Sequence, residues 1–254
     1  MAEIILQSGM STIEIEDGIA ILTLENGAKN LLSNPEFISL DALKSVIEKH
    51  PELYGLIITG KGRHFSHGAD TSTFQEDMEE GSISEMLEKS KAILSYIEQL
   101  PLITVAAIHG GCFGGGFEIA LSCRYRLCVE RAFLGLPEIM HGVIPGMGGM
   151  ERMKDLLGPA KAAELILSGE MITATEAKEL GLIHSIYDGK NCVEEAKQFI
   201  KKLAAGKKVS QIHAIMRGTA LKAEGKEHAK YSFERVLKDK SQALIFDTKS
   251  EVDE

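Results

Sequence analysis

The stretch Val105–Glu118, VAAIHGGCFGGGFE, decides how this chain folds. Its apolar beginning predicts a buried strand over Ile103–His109. Gly110–Gly116 then leads into a helix that carries Glu118. A helix that opens on a glycine triplet leaves backbone N–H groups unpaired, and these groups can face a developing negative charge. A carboxyl group in the first turn of such a helix, among hydrophobic neighbours, indicates a site for chemistry.

A second loop of the chain has the same design. Leu56–Thr59 is predicted to be a buried strand, and Phe65–Asp70, FSHGAD, follows it with small residues that let a ligand approach the backbone. If the two strands are neighbours, the N–H groups of Ala69 and Gly115 can converge on one carbonyl oxygen. A donor of this kind contributes about 3–4 kcal/mol to the stability of a transition state.

A second carboxyl group, that of Glu138, follows Leu136-Pro137 in a loop-like stretch from Leu134 to Gly149. Two carboxyl groups beside glycine-rich backbone can hold a water molecule between them. Together with oxyanion donors, they suit chemistry on a carbonyl compound. Taken alone, Glu118 could be a charge favoured by the helix dipole, and Glu138 could cap a turn. Their combination in these two motifs favours catalysis.

The rest of the chain alternates strand and helix patterns, which predicts an α/β fold with parallel sheets. Asp17-Gly18 separates the two strands of a predicted hairpin. The remaining predictions are strands at Thr12–Glu16, Ile19–Glu25 and Arg124–Val129, helices from Asn34 to about His50 and from Ser84 to Gln99, a mobile acidic loop over Thr71–Ser82, and further helices at about 150–168, 173–180, 191–205 and 207–240.

Composition narrows the class of protein. The 254 residues carry a formal net charge of −9, which argues against binding to nucleic acid or to an anionic membrane surface. No apolar run approaches the roughly 18 residues needed to cross a bilayer. The four cysteines form no Cys-x-x-Cys pair and have no histidine at metal-ligand spacing, so we expect buried free thiols and no metal site. A reducing, cytoplasmic location follows as an expectation.

Four stretches together resemble the crotonase family, the enoyl-CoA hydratase/isomerase superfamily. They are Phe65–Asp70 (FSHGAD), Val105–Glu118, Leu136–Gly149 (LPEIMHGVIPGMGG) and Ile172–Gly181 (ITATEAKELG). They occur in the order and at the separations of the family, and the resemblance covers nearly the whole chain to about residue 240. It implies a spiral of ββα turns over residues 1–190 that carries the active site. Residues 191–254 would form a helical region of the same unit, which mediates assembly into a homotrimer or hexamer.

The resemblance also implies an activity in fatty acid metabolism. This is the reversible addition of water to a 2-enoyl thioester, or dehydration of a 3-hydroxyacyl thioester, with a coenzyme A thioester as substrate and no cofactor. Position by position, Glu118 and Glu138 match the two catalytic glutamates, and Ala69 and Gly115 match the oxyanion donors. The positions matched to substrate and coenzyme A binding are Lys29, Ser66, Gly68, Asp70, Thr71, Ser72 and Gly114.

Several alternatives stay open at this point. The stretch Ser241–Lys249 lacks the basic cluster that is usual at the end of the family's chains, so an acyl-carrier-protein thioester is a second candidate substrate. His67 and His141, with Pro137 and Met147, could line the acyl pocket, although the two histidines could equally be structural or face solvent. The role of each glutamate is undecided. The alternative activities are double-bond isomerisation and decarboxylation. A non-catalytic or RNA-binding scaffold is disfavoured by the net charge and by the retained glutamates.

Overall fold

The computed structural model describes residues 3–33, 37–70, 83–188 and 191–219. Over these residues the strands are β1 (Glu3–Ser8), β2 (Ser11–Glu16), β3 (Ile19–Leu24), β4 (Gly55–Gly60), β5 (Ile103–Ile108), β6 (Gly111–Phe113), β7 (Tyr125–Val129), β8 (Phe133–Gly135), β9 (Ile172–Thr173) and β10 (Ser185–Tyr187). The helices are α1 (Leu40–Lys49), α2 (Ile83–Gln99), α3 (Gly115–Ser122), α4 (Gly149–Leu157), α5 (Pro159–Ser168), α6 (Ala174–Glu179), α7 (Cys192–Ala204) and α8 (Val209–Gly218), with a short 3₁₀ helix at Pro137–His141.

Two sheets organise the chain. The larger has the strand order β1-β2-β3-β4-β5-β7-β10, and from β3 onward its neighbouring strands are parallel. The smaller has the order β6-β8-β9, with β6 and β8 parallel. The predicted hairpin is confirmed as β2 and β3, because Asp17 and Gly18 both have the positive φ that a tight two-residue turn requires. The parallel sheet that the alternating pattern predicted is also present.

Both faces of the large sheet are covered, which explains why β4 and β5 read as continuous apolar runs. On one face, Ile58 and Ala106 pack in a core with residues of α1, α2 and α3. On the other face, Ile57 and Val105 pack against Ile200 and its neighbours on α7. The sheet therefore holds the end of β5, and the glycine-rich turn that follows it, between rigid layers.

The structure corrects several predicted boundaries. The helix predicted from Asn34 begins at Leu40, because the Ser39 side chain accepts a hydrogen bond from the Ala42 N–H and caps it; residues 34–36 lie outside the described range. The helix predicted over 150–168 is broken at Gly158 into α4 and α5. Strands β1, β6, β8, β9 and β10 were not predicted, since each is short or lies at an edge. The predictions for Thr71–Ser82 and beyond residue 219 fall outside the described residues.

The expectation of buried free thiols is confirmed. All four cysteines are buried free thiols, namely Cys112, Cys123, Cys128 and Cys192. Burial raises the pKa of each of these thiols, which keeps them protonated and unreactive. Within the described ranges, every helix is too short or too polar to span a lipid bilayer.

Candidate active site

The two glycine-bearing loops lie directly against each other. The Phe113 N–H donates to the Ser66 carbonyl oxygen at 2.9 Å, so the loop after β4 runs alongside β6. Gly68 has a φ of +81°, and a Cβ at this position would lie 2.7 Å from the carbonyl oxygen of Phe113 and 3.1 Å from the amide nitrogen of Gly115. A side chain at residue 68 would therefore force the loops apart, and glycine permits their close approach.

The backbone amides of Ala69 and Gly115 are both available to a ligand. Leu32 donates to the Gly68 carbonyl and accepts from the Asp70 N–H, at 2.8 and 3.1 Å. Because backbone groups alternate in direction along an extended segment, the intervening Ala69 N–H points away from Leu32. Gly115 is the first residue of α3, so its N–H has no acceptor within that helix. Within the described part of the chain, neither amide has a carbonyl partner.

Pairing between β6 and β8 brings Glu138 to the same place. Phe113 is in register with Gly135, and the Gly114 N–H donates to the Gly135 carbonyl at 2.9 Å. The 3₁₀ helix that begins two residues later, at Pro137, turns the Glu138 side chain back toward the turn between β6 and α3. A Cβ at Gly114 would lie 3.1 Å from Glu138 Oε1, so the carboxyl group sits beside the turn that opens α3.

Glu118 is held rigidly inside the protein. Its side chain is 2% exposed, on a helix that is buried on nearly all sides. One carboxyl oxygen, Oε1, accepts hydrogen bonds from the Met147 N–H at 2.8 Å and from the Gly149 N–H at 2.7 Å. A Cβ at Gly149 would lie 2.9 Å from this oxygen, so only glycine lets the second amide approach so closely. These bonds orient the other carboxyl oxygen, Oε2.

The two carboxyl groups differ in electrostatic environment. Burial raises the pKa of Glu118, while the amides of Gly149 and Met147 and the charge of Arg152 act in the opposite direction. Burial, followed by the negative charge of Glu118, raises the pKa of Glu138 to about 8. Glu138 has no comparable anchor: its Oε2 is buried and has no hydrogen-bond partner among the described residues. The site thus pairs a carboxyl group anchored by two backbone amides with an unanchored one whose pKa of about 8 keeps it protonated near neutral pH.

A buried polar atom without a partner needs an explanation, because such atoms are normally hydrogen-bonded. Glu138 Oε2 lies next to the junction where the two free amides are found. A bound water molecule or substrate would satisfy it. The site therefore combines two free backbone donors, an anchored acid and an unanchored acid, and this combination is chemically suited to a carbonyl compound and a water molecule.

Comparison with known proteins identifies the family. A family model described as enoyl-CoA hydratase/isomerase matches residues 14–243. The chain belongs to this family. Its α/β architecture, with a mainly parallel sheet covered by helices, is the crotonase fold of the related structures.

Individual relatives give the range of similarity. A "Probable enoyl-CoA hydratase" of Bacillus subtilis (strain 168) is 37% identical over 194 residues, which cover 76% of this chain and 75% of that protein. The "Fatty acid oxidation complex subunit alpha" of Shewanella sp. (strain MR-4) is 32% identical over 212 residues and matches 80% of this chain, which spans only 30% of that longer protein. A crystal structure of an enoyl-CoA hydratase from Bacillus anthracis has a TM-score of 0.75 and 30% identity, covering 82% of this chain and 81% of the other.

Most of the family-matched residues lie where the loop after β4 packs against the turn between β6 and α3. Gly68 and Ala69 belong to that loop, and Gly114 and Gly115 belong to the turn. Met147 is buried, and its terminal methyl would lie 2.9 Å from a Cβ at Gly115, so it borders both the amide pair and Glu118. Among the other matched positions in the described range, Pro137 begins the 3₁₀ helix. Asp70 is half-buried, and its backbone N–H donates to the Leu32 carbonyl. Lys29 is exposed, and its backbone carbonyl accepts a hydrogen bond from the His67 N–H. Thr71 and Ser72 lie outside the described residues.

Ser66, one of the positions matched to substrate and coenzyme A binding, has its side chain turned toward the backbone. It is fully buried, and its hydroxyl donates to the Asn30 carbonyl at 2.7 Å and accepts from the Gly68 N–H at 3.1 Å. The hydroxyl is therefore committed to the backbone. Its place in the structure is that of a brace that holds the loop at Gly68.

The two histidines occupy different environments. His67 is half-buried, with its ring edge-on to His64 at 4.4 Å and to Phe113 at 5.1 Å between centroids. Burial, then the charge of neighbouring His64, lowers the pKa of His67, so its imidazole is neutral at physiological pH. Its ring lies on the β6 side of the loop, where Nε2 is buried and unpaired among the described residues. His141 is exposed at the end of the 3₁₀ helix, which agrees with a solvent-facing role rather than a place in a pocket.

Sequence reasoning missed the support beneath Glu118. The residues involved are Glu98, near the end of α2, and Arg152, in the first turn of α4, which form an ion pair at 2.6 Å. The signal available in the sequence was an arginine one turn into a helix that opens on Gly148-Gly149. Its partner, 54 residues earlier, could not have been identified without the fold.

Proposed function

We propose that this chain is a 2-enoyl thioester hydratase, which adds water reversibly across the double bond. The observation that carries the proposal is the pair of buried carboxyl groups with unlike environments beside two free backbone amides. Isomerisation of a double bond needs one group to move a proton, whereas hydration needs one group for the water and a second for the α-carbon. The retention of both glutamates supports hydration.

The different environments support a division of roles. Glu118, whose Oε1 is held by two amides, accepts a proton from the bound water as the water oxygen forms its bond to the β-carbon. Glu138, with a pKa raised to about 8, carries a proton at neutral pH and donates it to the α-carbon. The double bond becomes a C–OH and a C–H bond. The cycle leaves a proton on Glu118 and none on Glu138, and proton exchange with water restores both.

The amides of Ala69 and Gly115 stabilise the charge that develops in this reaction. Attack at the β-carbon moves negative charge to the thioester oxygen as an enolate. Two N–H donors, one of them at the N-terminus of α3, receive that charge without reorganising. Proximity of the two loops at Gly68 and Gly115 supports this assignment.

Two positively charged side chains near the loop that leads to Ala69 support a coenzyme A thioester as the substrate. Lys29 and Arg63 are exposed, and both charges contribute, after burial, to lowering the pKa of His64. Two cations near the loop that leads to Ala69 are suited to the phosphates of coenzyme A. The names of the Bacillus and Shewanella relatives are consistent with this class and with fatty acid metabolism. A carrier-protein thioester is the alternative.

The direct test uses crotonyl-CoA and the purified chain. Hydration removes the ultraviolet absorbance of the conjugated thioester, and chromatography identifies 3-hydroxybutyryl-CoA. The same assay on a 3-enoyl-CoA measures isomerisation, and a crotonyl carrier protein tests the other acyl carrier. We expect hydration to be the fastest of these reactions. Turnover of the 3-enoyl substrate without hydration would support the isomerase instead, and absence of turnover in all three would contradict the proposal.

The rate of hydration should depend on pH as a bell-shaped curve. Glu138 must be protonated to act as the acid, so kcat/KM should fall as the pH rises through about 8, where this group loses its proton. Glu118 must be ionised to act as the base, and because its pKa is raised, the acid limb should lie above the ordinary range of glutamate. Initial rates across the pH range check this. A rate that keeps increasing above the pKa of Glu138 would contradict the assignment of roles.

We also propose that residues 1–190 form the catalytic core, with 191–254 as a helical region of the same unit, and that the protein acts in the cytoplasm.

We further propose that the chain forms a homotrimer or hexamer. Large apolar side chains exposed around Gly169 support the proposed assembly. Met140 is 72% exposed and contacts this position, and Leu167 is 71% exposed two residues away. Light scattering should give a mass three or six times that of the chain, and a monomeric mass would refute the assembly.

A further inference from the structure

An ion pair lies beneath the loop that anchors Glu118. Glu98 Oε1 and Arg152 Nε are 2.6 Å apart, and the two side chains are only 16% and 13% exposed. Removing a carboxylate and a guanidinium from water is costly, and a pair this well buried often adds little net stability. Its place in the molecule therefore requires a reason beyond stability.

The guanidinium also holds the loop itself. Arg152 Nη1 donates to the Met147 carbonyl at 2.7 Å, and the N–H of the same Met147 donates to Glu118 Oε1. Gly148 has a φ of +93°, and a Cβ there would lie 2.6 Å from Arg152 Nη1, so glycine leaves the space that the guanidinium occupies. The planar fork thus spans from Glu98 on one side to the loop on the other.

A continuous set of contacts results. It runs from the Glu98 carboxylate through the Arg152 guanidinium to the Met147 peptide, and from the amides of Met147 and Gly149 to Glu118. Helices α2 and α4, which carry the ion pair, are separated in sequence by all the elements from β5 to the 3₁₀ helix. Their side chains meet directly behind the proposed base. Arg152 bonds to Glu98 and to Met147, not to Glu118 itself.

We infer that Arg152, oriented by Glu98, is a positioning residue that fixes the loop 147–149 so that both amides hold Glu118 Oε1 and direct its other oxygen toward the substrate. The inference rests on the proposed function, since it assigns the orientation of the proposed base. The positive charge of the guanidinium also favours the ionised form of Glu118, which is the form that the proposed base needs.

The test compares Arg152→Met, which retains bulk but removes the fork and its charge, with Arg152→Lys and Glu98→Gln. We expect kcat for crotonyl-CoA hydration to fall roughly 100-fold in Arg152→Met with little change in KM, since a displaced catalytic group costs about this much. The acid limb of the pH profile should move to higher pH. Arg152→Lys should recover the position of that limb but little of kcat, and Glu98→Gln should lower kcat less than Arg152→Met.

The matched control is Lys197→Met, which removes another partly buried ion pair, to Glu16, on the opposite face of the large sheet. It should lower the melting temperature without moving the pH profile. If Arg152→Met behaves like this control, with kcat and the acid limb unchanged, the ion pair is structural and the inference is wrong. Glu98→Gln and Arg152→Lys give the same comparison if Arg152→Met does not fold.

A readout independent of turnover separates this inference from the proposed function. Carboxyl ¹³C NMR of labelled glutamate, with Glu118 assigned by its loss in Glu118→Gln, measures the pKa of Glu118 directly. We expect that pKa to be higher in Arg152→Met than in the parent chain, whether or not the protein hydrates crotonyl-CoA. An unchanged Glu118 titration would overturn the inference, whereas an inactive parent chain with a shifted titration would overturn only the proposed function.

Discussion

Replacing Glu138 by glutamine is expected to lower kcat for hydration of crotonyl-CoA by roughly 10²- to 10⁴-fold, the usual contribution of a general acid. Glutamine retains the size of the side chain, but its amide is far too weak an acid to transfer a proton to the α-carbon. Glu118→Gln should cause a loss of the same order, because an amide cannot accept a proton from the bound water. KM should change little in either variant, since the thioester is held elsewhere. Steady-state kinetics with crotonyl-CoA measures both effects.

A surface carboxyl provides the control. Glu170 is exposed, and its substitution by glutamine removes the same charge without touching the site. Glu170→Gln should have the kinetic constants of the parent chain. The melting temperatures of Glu118→Gln and Glu138→Gln should not fall far, because a neutral amide of the same size replaces a buried carboxyl whose ionised form burial disfavours. Rates close to the parent value in both site variants would refute the assignment of these two groups as the acid and the base.

Gly68→Ala should be nearly as damaging, although it leaves both glutamates in place. The new Cβ would meet the Phe113 carbonyl at 2.7 Å and the Gly115 amide nitrogen at 3.1 Å, so the loops would have to separate. Separation moves one of the two proposed donors away from the thioester oxygen. Loss of a single donor of this kind lowers kcat by about 10²- to 10³-fold. Kinetics with crotonyl-CoA would show this as a fall in kcat in a protein that is still folded.

Gly62→Ala is the matched control for backbone strain. Gly62 has a φ of +80°, almost the same as Gly68, but a Cβ there would have no atom within 4 Å. Both alanines therefore carry a similar conformational cost, on the order of 1 kcal/mol. Gly62→Ala should have parent-like kcat with a slightly lower melting temperature. Equal kinetic constants for the two variants would show that the close approach at Gly68 does not matter for catalysis.

The sequence predicted the structure correctly where the local residue pattern and the tertiary environment require the same residues. The buried runs at β4 and β5, each followed by glycines, predicted the two loops correctly, because parallel strands buried on both faces must be apolar and their turns must be compact. The start of α1 could not be predicted from the apolar pattern, which continues back to Phe37. The Ser39 cap, a local hydrogen bond, decides it.

Other features depend on contacts between distant segments. The anchors of Glu118 lie 29 and 31 residues away, at Met147 and Gly149, and no periodic pattern connects them. The FSHGAD stretch places Ser66 near the site, but only the fold shows that its hydroxyl is buried against Asn30. The unequal environments of the two glutamates likewise arise from tertiary packing, which is why the sequence alone left their roles undecided.

The central claim is that the amides of Ala69 and Gly115 hold one thioester oxygen while both glutamates face the adjacent carbons. A crystal structure with butyryl-CoA, which is saturated and cannot be hydrated, tests it most directly. We predict that the thioester oxygen lies within hydrogen-bonding distance of both amide nitrogens, with a water molecule between Glu118 and Glu138 next to the β-carbon. A thioester bound with its oxygen turned away from either amide, or with either carboxyl group remote from the acyl chain, would contradict the account.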